Sequence, residues 1–483
     1  MTSVNRSMLD LAPVGESTGD GSPAPLAPLP HPLPGVPGRG SRPLAAATFW
    51  CVVLGIGFFA CYGLCLRVTA ARAPVPTVMF AWERYIPFVP AMIVPYMSID
   101  LLFAASFFLC ATRAELNAHV KRIVFAIVIA CACFLLFPLQ MGYARPPMTG
   151  FWAAWYAPLD ALDRPYNLAP SLHLALRTIL WVIYIRHTRG VLQLATKGWL
   201  LLIGLSTLLT YQHHVFDLVT GQALGLLALY VFPDAMPDHA SFHRRHHLTP
   251  RPRMAALYAC LGITLGVIGY LLRPWGFVLV WPAASMLIIA AAYIWLGPNV
   301  FRKRDGRLGF ATRFALGPYL LGGWLTLPHY RRQAATWVEV TPQLILGRRL
   351  TDAEAREQIG RGVAAVLDLT SECAAPPAFR AIAYRNIPVL DLTVPTPRQL
   401  DDAVAFIRAH AHDGRKVYLH CKLGRSRSAA VAAAYLIAEG IAPSAAEAVE
   451  RVRRVRPEIV VGAGTLAALE RYAQQRREQS AST

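Results

Sequence analysis

The sequence predicts a multi-domain chain, an all-α transmembrane helical bundle followed by an α/β domain with a mainly parallel sheet. Three observations carry that prediction. Eight apolar runs, each near the roughly 20 residues that a bilayer requires, fill residues 45–297. From about residue 334 the composition turns soluble, and strand-like and helix-like patterns alternate. The net charge is +19 over 483 residues, 55% of them hydrophobic, which is too apolar and too long for one soluble domain. The basic residues sit between the apolar runs, as in the cytoplasmic loops of a membrane protein, and do not call for a nucleic-acid partner.

Residues 1–43 are rich in Pro, Gly and Ser, as in Ser22-Pro23-Ala24-Pro25, and predict a disordered cytoplasmic tail. The tail is too long and too weakly basic for a signal peptide, so the first apolar run is an uncleaved anchor. The runs lie near 45–66, 88–110, 121–143, 170–186, 196–213, 215–233, 255–273 and 275–297. The first six make a six-helix transmembrane domain over 44–233. Two further helices and a basic juxtamembrane linker fill 234–333.

Arg113, Lys121 and Arg122 follow run two, and Arg186, Arg189 and Lys197 follow run four. Arg244, Arg245, Arg251 and Arg253 follow run six, and Arg302, Lys303, Arg304 and Arg307 follow run eight. All four groups fall on one side, which the positive-inside rule makes cytoplasmic, while Arg67, Arg72 and Arg84 dissent. Residues 308–330 are apolar but interrupted by Arg313 and several glycines. They read as a segment on the inner membrane surface or packed on the bundle. A ninth span there would put the following domain outside the cytoplasm. Of nine cysteines, seven lie in apolar runs, with no CxxC pair and no metal-ligand spacing. Neither a metal, a cofactor nor a disulfide framework is expected.

In residues 334–483, Trp337–Val340 and Leu344–Gly347 suggest a hairpin. Val363–Leu369, Ile387–Leu390 and Val417–His420 read as buried strands. Helical patterns cover 399–411, 428–439, 443–455 and 464–476. Between the last strand and its helix lies His420-Cys421-Lys422-Leu423-Gly424-Arg425-Ser426-Arg427-Ser428. A strand, a tight Gly-containing loop and a helix N-terminus make an anion cradle. Cys421 sits at its mouth, where the helix dipole and nearby cations lower a thiol pKa and make a thiolate nucleophile. Arg427 can grip two phosphate oxygens with its planar fork.

This stretch resembles the Cys-x5-Arg-Ser/Thr signature of the protein tyrosine and dual-specificity phosphatases. The resemblance implies that Cys421 attacks phosphorus, Arg427 holds the phosphoryl group, Ser428 helps the thiolate leave and His420 orients the loop. It also implies that loop residues Lys422, Leu423, Gly424, Arg425 and Ser426 cradle phosphate. The general acid is then Asp391, on the loop after the strand Ile387–Leu390. Asp368, within Val366-Leu367-Asp368-Leu369, is the rival and reads as a strand end. Thr341-Pro342-Gln343-Leu344 and Arg456-Pro457 extend the resemblance over nearly the whole domain. Lys422 and Arg425 flank the cradle and suit a highly anionic substrate. The loop, with Ala434-Tyr435-Leu436-Ile437, is also similar to mitochondrial tyrosine-phosphatase-like enzymes that dephosphorylate phosphatidylglycerophosphate.

A second constellation lies at the outer end of the apolar runs. It comprises Arg145-Pro146, Pro170-Ser171-Leu172-His173, and Ser206 with His213 and Asp217. Polar residues are costly in a membrane and mark function. Ser171 and His173 sit at a helix start suited to an anion. His213 and Asp217 share one face if helical, so that Asp217 can orient the imidazole. One imidazole can attack phosphorus, the other can protonate the leaving oxygen, and Arg145 can neutralise charge. The set is similar to the type 2 phosphatidic acid phosphatase (PAP2) superfamily, whose motifs are Lys-x6-Arg-Pro, Pro-Ser-Gly-His and Ser-Arg-x5-His-x3-Asp. Pro138, Leu172 and Thr207 depart from the Lys, Gly and Arg of those motifs. Pro-Ser-Leu-His with His-x3-Asp also resembles the inositol phosphorylceramide and sphingomyelin synthase branch. The resemblance implies His213 as nucleophile, His173 as acid, Asp217 orienting, and Arg145, Ser171 and Ser206 binding phosphate.

A PAP2-like bundle fused to a dual-specificity domain resembles a family of multi-pass bacterial inner-membrane proteins with a cytoplasmic phosphatase. The expected substrates are a phospholipid or lipid phosphate, or a phosphoprotein. Two further readings stay open: a signalling protein phosphatase anchored by an inactive bundle, and a lipid phospho-headgroup transferase with a phosphatase attached.

Overall fold

The computed structural model describes residues 42–72, 74–162, 165–234, 250–272, 275–332, 335–412 and 414–481. Residues 1–41 of the expected tail, and Arg244 and Arg245, lie outside them. Among the described residues six helices are long and apolar enough to cross a membrane: Leu44–Ala70, Pro90–Leu109, Arg113–Leu136, Gly190–Leu209, Pro252–Leu271 and Gly276–Phe301. They contain α1 (Leu44–Ala70), α2 (Ile93–Leu109), α3 (Arg113–Leu136), α6 (Gly190–Leu209), α8 (Pro252–Leu271) and α9 (Val280–Ala291).

The remaining bundle helices depart from expectation. Runs four and six give α5 (Leu172–His187) and α7 (Val215–Val231), of only 16 and 17 residues. The two pack closely because α7 presents glycines. A Cβ on Gly221 would lie 2.2 Å from the Ser171 carbonyl oxygen, and one on Gly225 would lie 2.6 Å from Thr178. Run three ends at Leu136, not at 143, since Pro138 restricts the residue before it and cannot continue the helix. After it comes an unexpected helix, α4 (Phe151–Leu162), so 44–233 holds seven helices among the described residues instead of six. Residues 308–330 fold into α10 (Phe310–Ala315) and α11 (Gly317–Arg332). With 16 residues and an internal Pro328, α11 is shorter than a span. Leu316 is buried with Ile289 of α9, and Tyr319 and Leu320 pack on the same cluster.

Ionic contacts gather one end of the bundle. Arg122 of α3 reaches Asp234 at 2.8 Å and the Phe232 carbonyl at 2.7 Å. Arg186 of α5 pairs with Glu115 at 2.7 Å and with Asp234. Arg302 and Arg304 donate to the carbonyls of Val231 and Asp234, at 3.3 and 3.1 Å. The basic groups after runs two, four and eight therefore share an end, and the soluble domain sits there.

That domain carries a five-stranded sheet in the order β1-β2-β5-β3-β4. Its strands are β1 (Trp337–Thr341), β2 (Leu344–Gly347), β3 (Val363–Thr370), β4 (Ala383–Val389) and β5 (Lys416–His420). Only β1 with β2 is antiparallel. On one face pack α13 (Pro397–His410), α14 (Arg427–Ala438), α15 (Ala445–Val455) and α16 (Ala463–Ala481). Ala432, Ala433 and Ala434 of α14 are fully buried, so this small-residue helix runs through the middle of the core. The other face is covered by α12 (Asp352–Gly360), whose Ala355 packs with Ile345, Val366 and Tyr418.

Candidate active site and comparison with known proteins

Strand β5 ends at His420 and α14 begins at Arg427, so Cys421–Ser426 form the connecting loop in the middle of the sheet. Its shape is set by Gly424, at φ +72°. A Cβ there would lie 2.6 Å from the Gly347 carbonyl oxygen and 2.9 Å from an Arg456 nitrogen, so only glycine fits. Buried Arg456 donates to the carbonyls of Leu423 at 3.1 Å and Ala335 at 2.7 Å. The Lys422 carbonyl accepts from the Arg349 amide at 3.2 Å, and the Arg425 carbonyl from the Val460 amide at 2.8 Å. The loop carbonyls are thus turned outward onto neighbours, and Ser426 precedes the first turn of α14.

Cys421 Sγ accepts hydrogen bonds from the Gly424 amide and from Ser428 Oγ, each at 3.3 Å. Burial pushes the thiol up, but the Arg427 guanidinium and the Ser428 hydrogen bonds outweigh it, and the thiol lies below its ordinary value. Arg427 is itself buried. Glu372 clamps it with carboxylate oxygens at 2.8 and 3.1 Å, the Val389 carbonyl accepts at 2.9 Å, and Asp391 stands 3.1 Å away. Burial raises the Glu372 carboxyl, yet Arg427 holds it well below the carboxylate range. The Asp391 side chain is 41% exposed, while Glu372 is 6% exposed. Asp391 is therefore the accessible carboxylate of the two, and Glu372 the buried one that fixes the guanidinium.

Asp368 is a strand residue buried beneath the loop. It accepts from Lys303 Nζ at 2.6 Å, Tyr384 at 2.7 Å, and the Thr370 amide and hydroxyl at 2.8 and 2.7 Å. His420, its Nε2 3.9 Å from Asp368, contacts the Cys421 carbonyl through Nδ1 at 3.2 Å. Sequence reasoning missed Glu372, Lys303 and the loop-holding role of Arg456. Arg456-Pro457 carried a signal; for the other two the sequence shows only a charge in a loop.

The second constellation is less closely assembled. His213 lies outside any helix and precedes α7, whose N-cap is His214. Its Nδ1 is 3.5 Å from Asp217, too long for a good hydrogen bond, because Asp217 Oδ2 accepts from the His214 amide at 2.8 Å. The shared helical face expected for His213 and Asp217 is therefore absent. His214 is fully engaged, with Glu83 at 2.9 Å and the Gly142 amide at 3.0 Å. His173, on the first turn of α5, stacks on Tyr96 at 4.4 Å. Ser171 caps α5, and the Ser206 hydroxyl donates within its own helix to Ile203 at 2.7 Å. Arg145 and His213 line a cavity of about 430 Å³ together with Tyr62, Tyr143 and Tyr156. Arg145 is ion-paired to Asp160 of α4, a partner the sequence did not reveal.

Residues 344–475 match the family model "Dual specificity phosphatase, catalytic domain". Mouse dual specificity protein phosphatase 2 is 34% identical over 102 residues, 21% of this chain and 31% of the relative. Mouse phosphatidylglycerophosphatase and protein-tyrosine phosphatase 1 is 37% identical over 89 residues, 18% of this chain and 45% of the relative. Phosphatidylglycerophosphate phosphatase PTPMT2 of Arabidopsis thaliana is 29% identical over 188 residues, 38% of this chain and 82% of the relative. A crystal structure of PTPMT1 aligns at 25% identity and a TM-score of 0.29, covering 30% of this chain and 99% of that one. The chain spans only about a third of the length of the first curated relatives it matches. Residues 344–475 are thus similar throughout to a dual specificity phosphatase catalytic domain, and they are joined to a helical N-terminal region.

Proposed function

We propose that the protein is a multi-pass phosphoric monoester hydrolase of a bacterial inner membrane, its catalytic domain on the cytoplasmic side, acting on phosphorylated lipid headgroups. The observation that carries this reading is where the Cys421 loop sits. Leu390, next to Asp391, is buried in one cluster with Ile289, Phe301 and Leu316 of the bundle. The Lys422 ammonium of the loop lies beside Gly323 of α11. A site held against the end of a membrane bundle, with Lys422 and Arg425 on its loop, suits an anionic headgroup at the bilayer surface. Two of the relatives are named for phosphatidylglycerophosphate, which is such a lipid.

The chemistry follows from the side chains. Cys421 thiolate attacks phosphorus while the ester P–O bond breaks, and Asp391 gives its proton to the departing alkoxide. Arg427, pinned by Glu372, holds two phosphoryl oxygens through the transfer. Water then attacks the cysteinyl phosphate, Asp391 takes its proton, and the S–P bond breaks. Ser428 Oγ donates to the sulfur and stabilises the thiolate that leaves. His420 and the loop residues Leu423, Gly424 and Ser426 keep the cradle in shape.

A second site in the bundle acts on lipid phosphate esters, with His213 as nucleophile, His173 as acid and Asp217 orienting. The cavity that brings Arg145 and His213 together supports it. Ser171 and Ser206 serve there through their helices more than through direct contact. The test uses full-length protein in lipid nanodiscs, given phosphatidylglycerophosphate, phosphatidate, sphingomyelin-type phosphodiesters and a phosphotyrosyl peptide. Lipid monoester hydrolysis abolished by Cys421→Ser supports the main reading. Turnover of the peptide alone would make the protein an anchored signalling phosphatase. Headgroup transfer that requires His213 would make the bundle a transferase.

A further inference from the structure

We propose that Lys303, contributed by the linker that leaves the last long membrane helix, is a positioning residue for the Cys421 site, holding its loop in the reactive state through Asp368 and His420. The inference rests on Cys421 being the nucleophile. Lys303 follows the Gly276–Phe301 helix by two residues. Its side chain is 2% exposed and plugs into the catalytic domain. The ammonium meets Asp368 Oδ2 at 2.6 Å, the Thr370 carbonyl at 2.9 Å and the Thr370 hydroxyl at 3.0 Å, which satisfies its three protons. The linker is locked beside it, since the Ala375 amide donates to the Gly306 carbonyl at 2.7 Å.

Asp368 is surrounded by groups from three strands. Thr370 comes from β3, Tyr384 from β4, where Asn386 also binds the Asp368 carbonyl at 2.7 Å, and His420 from β5. Arg349 is a further cation toward His420, and Asp305 and Arg380 act on Tyr384. The ring faces near His420 are those of Phe379 and Tyr418. Lys303 is thus the only cation among the described residues that directly pairs with Asp368.

The electrostatic logic is one of balance. A buried carboxylate without its ammonium is a bare anion behind a loop that must hold a thiolate and bind phosphate. It would oppose the Cys421 thiolate. With Lys303 in place, Asp368 stays ionised and compensated, and burial keeps the His420 imidazole below its ordinary value. The membrane half of the chain therefore supplies one charge of the catalytic half.

The test is the pH dependence of Cys421 alkylation by iodoacetamide in full-length detergent-solubilised protein, read by mass spectrometry of the Cys421 peptide. Lys303→Met slows alkylation at pH 6 by roughly fivefold, as a raised thiol pKa requires. Asp368→Asn speeds it, because the ammonium then stands uncompensated. Lys303→Arg stays near wild type. A merely structural role would move Lys303→Met and Asp368→Asn in the same direction, and that result would overturn the proposal, as would an unchanged curve for both. Should Lys303→Met not yield folded protein, Asp368→Asn decides alone: faster supports the proposal, unchanged or slower overturns it. A wild-type Cys421 that alkylates only in the ordinary cysteine range would instead overturn the nucleophile reading.

Discussion

The two polar constellations, at the Cys421 loop and in the bundle, differ in how their charges are used. At the Cys421 loop, the guanidinium of Arg427 is buried, clamped from behind by Glu372, and still has Asp391 in reach. At the bundle cavity, Arg145 is paired with Asp160. The first arrangement fixes both terminal nitrogens of its cation and leaves Nε without a partner. The second holds Arg145 by one terminal nitrogen on a half-exposed carboxylate, and its other terminal nitrogen has no hydrogen-bond partner. A buried ion pair that leaves donors directed at the ligand position preorganises a site. A partly exposed pair that covers its cation competes with the ligand.

The largest expected effect falls on the first site. Arg427→Lys lowers kcat/KM for lipid phosphate by about 10²–10³, since an ammonium cannot make the planar two-point contact. Near-normal turnover, measured as phosphate released from nanodiscs, would break the comparison. Next, Asp391→Asn costs about 10²-fold with poor leaving groups. Nitrophenyl phosphate, whose leaving group needs no proton, should lose far less. Equal losses on both substrates would remove Asp391 as the acid.

In the bundle, Asp160→Asn frees Arg145 and raises His213-dependent turnover by about threefold, the scale of a partly exposed ion pair. The measurement uses a Cys421→Ser background, and a fall in rate would show that the pair is needed as it stands. The smallest effect at neutral pH is on stability. Glu354, with Arg348 and the Thr351 amide as partners, and Glu372, with Arg427, both titrate near 2 in the fold against an ordinary 4.5. Carboxyls depressed in this way stabilise the fold fully above pH 4.5, and that contribution is lost as pH falls toward 2. Limited proteolysis across that window should open the catalytic domain while leaving it intact at pH 6.

Local chemistry was legible in the sequence and long-range pairing was not. The strand, the glycine turn and the small-residue helix around Cys421 are contiguous, so their pattern could be read directly. The position of Asp391 after a strand was legible in the same way. Glu372 meets Arg427 from 55 residues away and Lys303 meets Asp368 from 65, and no period or spacing encodes such contacts. Lys303 was legible only as one more basic loop residue. Helix α12 is short and highly charged, and its apolar period is weak; the capping pair Thr351 and Glu354 was the signal that could have found it. For His213 and Asp217 a four-residue spacing suggested a shared helical face, but the cap at His214 starts the helix one residue too late.

The burial of Leu390 with the bundle bears on where this protein can be cut. Composition changes near residue 334, and that is where one would trim the chain to obtain a soluble enzyme. A fragment starting there would expose Leu390 and forfeit about 1.5–3 kcal/mol of burial at that residue alone. It would carry a fresh apolar patch beside its acid loop, an invitation to aggregate. The change of composition near residue 334 is thus not a seam in the folded molecule. A fragment that keeps Leu390 covered must reach back at least to Ile289 of α9, well before the sequence turns polar.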